Sequence, residues 1–127
     1  MVESRSTGAD DASGAVVGRR LMAAREDTLA QVQELAESLR EMTEARSAVA
    51  SDDEHDPEGQ TIAFERAQVA ALLEQARARL TDLDVAAERV AAGTYGWCEE
   101  CGRPIAAERL EARPTARTCI VCASKRR

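Results

Sequence analysis

Four cysteines near the C-terminus form two C-x2-C pairs, Cys98/Cys101 and Cys119/Cys122, separated by seventeen residues. Thiolates are good zinc ligands, and two pairs at this spacing can surround one ion with the tetrahedral geometry that zinc accepts. A redox dithiol of the thioredoxin kind needs only one pair and a βαβ setting, and this chain fits neither condition. The spacing therefore predicts one structural Zn²⁺ ion held by all four cysteines.

The predicted zinc site is not expected to catalyse a reaction. A closed set of four thiolates leaves no coordination position for a water molecule. The chain has a single histidine, His55, which lies far along the sequence from the nearest cysteine. No arrangement of Ser, His and Asp or of Cys and His can be assembled from these residues. We expect no catalytic residues and no enzymatic activity.

The rest of the chain has the composition and the periodicity of long helices. Charged residues make up 31% of the sequence, aromatic residues 2%, and Ala, Leu, Glu and Arg are abundant. Residues spaced by fours and threes form two heptad tracks, each of which spans 29 residues. The first track is Leu21, Arg25, Thr28, Val32, Leu35, Leu39, Met42, Arg46 and Val49, and the second is Ile62, Arg66, Val69, Leu73, Ala76, Leu80, Leu83, Ala87 and Val90.

Two helices of matched length joined by a short connector can fold back on each other and bury their apolar seams. A compact three- or four-helix bundle is the alternative, but it needs further apolar faces that the outer positions do not supply. The predicted fold class is therefore mainly α, a long antiparallel helical hairpin (coiled coil) followed by a small C-terminal four-cysteine zinc finger. The expected organisation is a disordered segment 1–14, the hairpin 15–92, the zinc-finger module 93–123 and a basic tail 124–127.

The connector between the two tracks is strongly acidic. Residues 51–60 read SDDEHDPEGQ, with five acidic residues, no Lys or Arg, and a Pro-Glu-Gly turn signal. Acids at the start of a helix also compensate its dipole and cap it, and this explanation is open for Asp52, Asp53 and Glu54. Asp56 and Glu58 lie closest to the bend. We expect four acids to be presented to a partner at the tip of the hairpin, Asp52, Asp53, Asp56 and Glu58.

The end of the second track leads directly into the first cysteine pair. Gly93 is placed where a C-capping glycine ends a helix. Tyr95 and Trp97 follow it, and we expect both rings to pack on the zinc-finger module. A short helical turn is predicted between the two cysteine pairs, over residues 106–112.

Charge is divided unevenly along the chain. Residues 1–92 carry ten basic and nineteen acidic side chains, whereas residues 93–127 carry seven basic and four acidic ones. The acidic part argues against binding to nucleic-acid phosphates, so no direct sequence-specific DNA binding is expected. The sequence contains no long apolar stretch and no signal-peptide pattern. We expect a monomer in the cytoplasm that does not bind membranes.

The zinc-finger segment resembles a known family. The pattern G-x-Y-G-x-C-x-x-C-G-x-x-I runs from Gly93 to Ile105, Arg-Leu-Glu-Ala-Arg-Pro follows at residues 109–114, and then comes Cys119-x-x-Cys122. This long motif closely resembles the DksA/TraR family of C4 zinc-finger proteins. The resemblance implies a transcription regulator that binds RNA polymerase rather than DNA. In that family the coiled coil enters the secondary channel of the polymerase, and two aspartates at its tip act near the catalytic magnesium or its surrounding loops.

The tip departs from the family pattern of Asp-Pro-x-Asp followed by a basic residue and alanine. Asp56 occupies the first acidic position, but Gly59 occupies the second and Thr61 replaces the alanine. Glu58 could partly supply the second charge from a neighbouring position. No binding site for the alarmone ppGpp is assigned, and an alarmone-independent member is expected. Two alternatives stay open: a zinc-stabilised coiled-coil adaptor or stress protein with a non-polymerase partner, and a thiol redox sensor.

Overall fold

The computed structural model describes residues 7–49 and 57–125, and these residues form four helices. They are α1 (Thr7–Val49), α2 (Pro57–Ala92), α3 (Ala107–Ala112) and α4 (Ile120–Lys125). Within these ranges no strand forms, and the β-structure is limited to one isolated antiparallel bridge between Trp97 and Pro104. The predicted fold class is confirmed: two long helices form a hairpin, and a small segment with four clustered cysteines follows it.

Local sequence explains the length of the two hairpin helices. α1 runs for 43 residues and α2 for 36, and neither contains an internal proline. Pro57 is the first residue of α2, a position at which the missing N–H costs nothing and the fixed φ angle suits a helix. Both helices alternate strong helix formers with the apolar residues of the seam, so local preference and burial favour the same structure.

The chain divides into two compact units, and Glu26–Leu80 is one of them. Three of its residues are buried, Thr28 on α1 and both Leu73 and Ala76 on α2. All three are members of the heptad tracks. Further members of the tracks in this unit are half-buried, among them Val32, Leu35, Leu39, Met42, Val69 and Leu80. The predicted seam is therefore the buried face of both helices here.

The other unit contains the described residues up to Arg25 together with those from Thr81 onward. Its first apolar cluster is built from Leu21, Leu83 and Ala86, with Val17, Ala24, Val90 and Tyr95 packed against it. Beside this cluster, the Arg25 Nε donates a hydrogen bond to the Asp84 Oδ1 at 2.6 Å. Both side chains are exposed, so the pair adds at most about 1 kcal/mol, but it marks which residues of α1 and α2 face each other.

The structure differs from the sequence-based expectation at three places. α1 begins at Thr7, so residues 7–14 are helical rather than disordered. α2 begins at Pro57, so residues 57–60 belong to a helix and not to a connector. Near the end of α2, Ala86 is buried and Ala87, the predicted member of the heptad track, is exposed. The buried face advances from Leu83 by three residues there, whereas the prediction used a step of four.

The buried seam predicts how single leucines contribute to stability. Leu83 is 1% exposed, and Leu83→Ala should lower the free energy of unfolding by about 2–5 kcal/mol because it leaves a cavity. Leu72 lies on the same helix but is 47% exposed, so Leu72→Ala should cost less than about 1 kcal/mol. Urea denaturation followed by circular dichroism measures both. Equal losses for the two variants would contradict the described seam.

Candidate functional site

The last turn of α2 ends in a Schellman motif that directs the chain into the cysteine-bearing segment. The Thr94 amide donates to the Arg89 carbonyl at 2.9 Å, and the Gly93 amide donates to the Val90 carbonyl at 3.1 Å. Gly93 has a φ of 78°, the left-handed conformation that this motif needs and that glycine adopts without strain. The predicted capping glycine is confirmed.

The first cysteine pair lies in a tight turn closed by backbone hydrogen bonds. The Cys98 amide donates to the Arg103 carbonyl at 2.8 Å, and the Gly102 amide donates to the Cys98 carbonyl at 3.0 Å. Gly102 has a φ of 76°, so a side chain at this position would strain the turn. The Ile105 amide then donates to the Gly96 carbonyl at 2.7 Å, which closes the base of the turn beside the bridge between Trp97 and Pro104.

The second cysteine pair is positioned by the start of α4. Cys119 immediately precedes the helix and Cys122 lies within it. The Ala123 amide donates to the Cys119 carbonyl at 2.9 Å, so the two sulfur-bearing residues share one helical turn. The Arg109 Nε, from α3, donates to the Thr118 carbonyl at 2.9 Å and holds the chain that enters this turn.

The four cysteine sulfur atoms converge on one point. All four Sγ atoms lie within 4.8 Å of one another, and the Sγ atoms of Cys101 and Cys119 are 3.8 Å apart. A tetrahedral zinc ion with Zn–S bonds of about 2.3 Å places its sulfur ligands about 3.8 Å apart. Cys98 and Cys122 are buried, Cys119 is half-buried and Cys101 is exposed. The donor type, the number of donors and their spacing all fit one zinc ion.

Without a metal ion, the close packing of the sulfur atoms opposes full ionisation of the cluster. Burial and the neighbouring sulfur atoms raise the pKa of Cys122 to about 12. Burial opposes ionisation of Cys98 as well, but the backbone amides of Cys101, Cys119 and Glu100 outweigh it and lower the pKa of Cys98 to about 6. Four adjacent thiolates repel one another, and a divalent ion removes this obstacle to their ionisation.

Tyr95 and Trp97 have different environments, although both were expected to pack on the zinc-finger module. Tyr95 is half-buried and packs against the cluster that contains Leu21. Its hydroxyl donates a hydrogen bond to the Pro114 carbonyl at 2.7 Å, and burial raises the pKa of this hydroxyl. Trp97 is 41% exposed, so the expectation of a packed indole ring is wrong. The adjacent Cys98, by contrast, is buried.

A network of two arginines and one glutamate borders the sulfur cluster, and sequence reasoning did not find it. The Glu99 Oε2 accepts hydrogen bonds from the Arg89 Nη1 at 2.7 Å and from the Arg117 Nε at 2.8 Å. The hydrogen bond from Arg117 and the positive charges of Arg117 and Arg89 lower the pKa of Glu99. Arg89 and Arg117 lie 10 and 18 residues from Glu99 in the sequence, and no helix or strand contains both members of either pair. The contact is therefore seen only in the folded structure.

The acids predicted at the tip are only partly covered by the described residues. Asp52, Asp53 and Asp56 lie outside them. Glu58 is exposed in the first turn of α2, where an acidic side chain favours the helix dipole. The site that the structure brings together is therefore the four-cysteine cluster, and the role of the tip acids stays a prediction.

Comparison with known proteins gives a consistent picture. The family model described as prokaryotic dksA/traR C4-type zinc finger matches residues 93–127. The RNA polymerase-binding transcription factor DksA of Caulobacter vibrioides is 34% identical over 98 residues, which cover 77% of this chain. The solved structure of transcription factor DksA2 from Pseudomonas aeruginosa matches with a TM-score of 0.76 and 30% identity, over 92% of this chain and 84% of that one. The chain belongs to the DksA/TraR family.

A shorter stretch of the chain has higher identity to another member of the DksA/TraR family. The Escherichia coli transcription factor DksA is 61% identical over 28 residues, which are 22% of this chain and 18% of that protein. This chain spans 64% of the length of the Caulobacter relative. The C4 family match and the four clustered sulfur atoms support one structural zinc ion. No helix among the described residues combines the length and the apolar character needed to cross a membrane.

Loss of one cysteine should release the zinc and unfold its surroundings. In Cys122→Ser the tetrahedral set is incomplete, and residues 93–125 contain too little buried apolar surface to fold without it. We expect about one zinc per chain in the native protein and less than about half of that in the variant, with rapid proteolysis of this segment. Ser124→Ala, at an exposed position, is the matched control. A Cys122→Ser protein that keeps full zinc content and protease resistance would contradict the assignment.

Proposed function

We propose that this protein is a transcription regulator that binds RNA polymerase and inserts its helical hairpin into the secondary channel to modulate initiation. The observation that carries the proposal is the match to DksA2 over most of both chains, in hairpin and zinc finger together. The curated Caulobacter relative is described as an RNA polymerase-binding transcription factor. Similarity in both the fold and the zinc site supports the same partner for this chain.

The charge of the hairpin supports a protein partner rather than a nucleic acid. Residues 26–80 carry thirteen acidic and five basic side chains. Such a surface repels phosphates and is attracted by a basic or metal-containing protein channel. Direct sequence-specific DNA binding is therefore not part of the proposal. The protein acts as a monomer in the cytoplasm, where the polymerase is found.

The zinc site has a structural role in this proposal. Cys98, Cys101, Cys119 and Cys122 are the four ligands, and together they leave no open position on the metal for a substrate. The protein is accordingly not an enzyme; it changes the behaviour of an enzyme to which it binds. Zinc keeps the segment after α2 folded, so that this segment can present a defined surface to the polymerase.

The acidic tip is the part of the hairpin proposed to act on the polymerase. Glu58 is exposed at the start of α2, and Asp56 is separated from it by only one residue in the sequence. Asp52 and Asp53 add further negative charge to the same segment. Carboxylates of this kind interact with basic residues or with the coordination shell of a magnesium ion. We assign Asp52, Asp53, Asp56 and Glu58 to partner binding or modulation at this tip.

A shortened hairpin tests the contact with the polymerase. An antiparallel count from the pair of Arg25 and Asp84 places residues 29–42 of α1 opposite residues 67–80 of α2. Deleting both segments removes two heptads from each helix and keeps the pairing of the remaining heptad positions. We expect the native protein to co-purify with core RNA polymerase and the shortened protein to lose at least about tenfold in affinity. Zinc content serves as the control for folding. Undiminished binding by the shortened protein would refute insertion of the hairpin.

Transcription assays test the tip acids. Multi-round transcription by the cognate polymerase should change when the native protein is added. The variant Asp56→Asn/Glu58→Gln removes two negative charges with little change in shape, and it should lose most of this effect while still binding. Glu74→Gln removes a charge from an exposed position elsewhere on α2 and is the matched control. If the tip variant acts like the native protein, the tip does not carry the activity.

A further inference from the structure

Arg89 contacts the cysteine-bearing segment at three points from the last turn of α2. Its Nη2 donates to the carbonyls of Thr94, at 2.9 Å, and Trp97, and its Nη1 donates to the Glu99 Oε2 at 2.7 Å. The Arg89 side chain is only 15% exposed, so these hydrogen bonds are largely shielded from water. Trp97 and Glu99 are the two neighbours of Cys98 in the sequence. The Arg89 guanidinium therefore binds the backbone carbonyl of the residue before this cysteine and the side chain of the residue after it.

Glu99 extends this contact to the second cysteine pair. Its Oε2 also accepts a hydrogen bond from the Arg117 Nε at 2.8 Å, and its amide donates to the Arg117 carbonyl at 2.9 Å. Arg117 precedes Cys119 by two residues. The network of Arg89, Glu99 and Arg117 thus connects the end of α2 to both cysteine pairs without using a sulfur atom.

Such a connection has a direct consequence for metal binding. Folding of this segment is coupled to zinc binding, so hydrogen bonds that exist only in the folded segment stabilise the zinc-bound state and tighten zinc binding. The planar guanidinium of Arg89 makes hydrogen bonds in three fixed directions, which a lysine ammonium at the same position cannot reproduce. The carboxylate of Glu99, shared by two arginines, is the central element of the network.

We infer that Arg89 and Glu99 are positioning residues for the zinc site: with Arg117 they hold the two cysteine pairs in their ligating arrangement in the folded segment. The inference rests on the zinc ligation proposed above. Because coupling is reciprocal, zinc binding must in turn stabilise the C-terminal turn of α2. The network is therefore a physical link between zinc occupancy and the end of the hairpin helix.

Zinc affinity measured by competition with a chromophoric chelator at fixed pH tests this inference. Arg89→Met and Glu99→Gln should each weaken zinc binding roughly 10–100-fold, as loss of supporting contacts around a metal site typically does. Arg77→Met is the matched control, because Arg77 is an exposed arginine of α2 without an ion pair or hydrogen bond to any described residue. Its affinity should stay within about twofold of the native value.

Two further readouts separate positioning from general damage to the fold. Far-UV circular dichroism of the zinc-saturated variants should match the native protein. The double variant should lose less affinity than the product of the two single losses, because both substitutions break one network. Glu99→Gln keeps the bonds from Arg89 to the Thr94 and Trp97 carbonyls, so it remains informative if Arg89→Met does not fold.

The opposite results would overturn the inference. Native zinc affinity in both single variants, equal weakening in Arg77→Met, or fully independent effects in the double variant would each show that the network does not position the site. The stoichiometry of zinc in the native protein is read in the same titration. A value far below one would refute the ligation itself and would thus be distinguished from a failure of the network.

Discussion

Convergence of four sulfur atoms on one point is the constraint on which the segment after α2 depends. The apolar core of that segment consists of Cys98, Ile105 and Cys122, with Leu110 and Cys119 packed against it, so three of its five members are cysteines. Apolar burial on this scale cannot by itself offset the entropy lost on folding. The bonds between sulfur and zinc take the place of a hydrophobic core, and α3, α4 and the turns are arranged around them.

Much of this architecture could be predicted from sequence because its causes are local or periodic. Heptad spacing correctly identified Leu21, Thr28, Leu73, Ala76 and Leu83 as buried, and the C-x2-C spacing correctly grouped the four cysteines. Features that depend on tertiary contacts could not be predicted. Near the end of α2, Ala86 rather than Ala87 is buried, and Trp97 is exposed although it lies beside a buried cysteine. The contact of Arg89 with Glu99 and Arg117 likewise requires the folded turn.

Hydrogen bonds explain how a small metal site can be joined firmly to a long helix. The Schellman motif at Gly93 turns the backbone, the Tyr95 hydroxyl binds the Pro114 carbonyl, and Arg89 reaches Glu99. Each contact is modest alone, and their combination fixes the first cysteine pair relative to the end of α2. Under the function proposed above, zinc maintains the shape of a docking surface, and the acids near Asp56 and Glu58 are the proposed source of the effect on transcription.

Hydrogen exchange measured by mass spectrometry, with and without zinc, tests most directly whether the sulfur cluster is the core of its segment. The amides of Cys98, Gly102, Ile105 and Ala123 all donate backbone hydrogen bonds around the cluster. We predict that chelation removes the protection of peptides that contain these amides, while peptides from 66–80 of α2 keep theirs. Unchanged protection around the cysteines after complete zinc removal would contradict the account, because the segment would then fold without its metal.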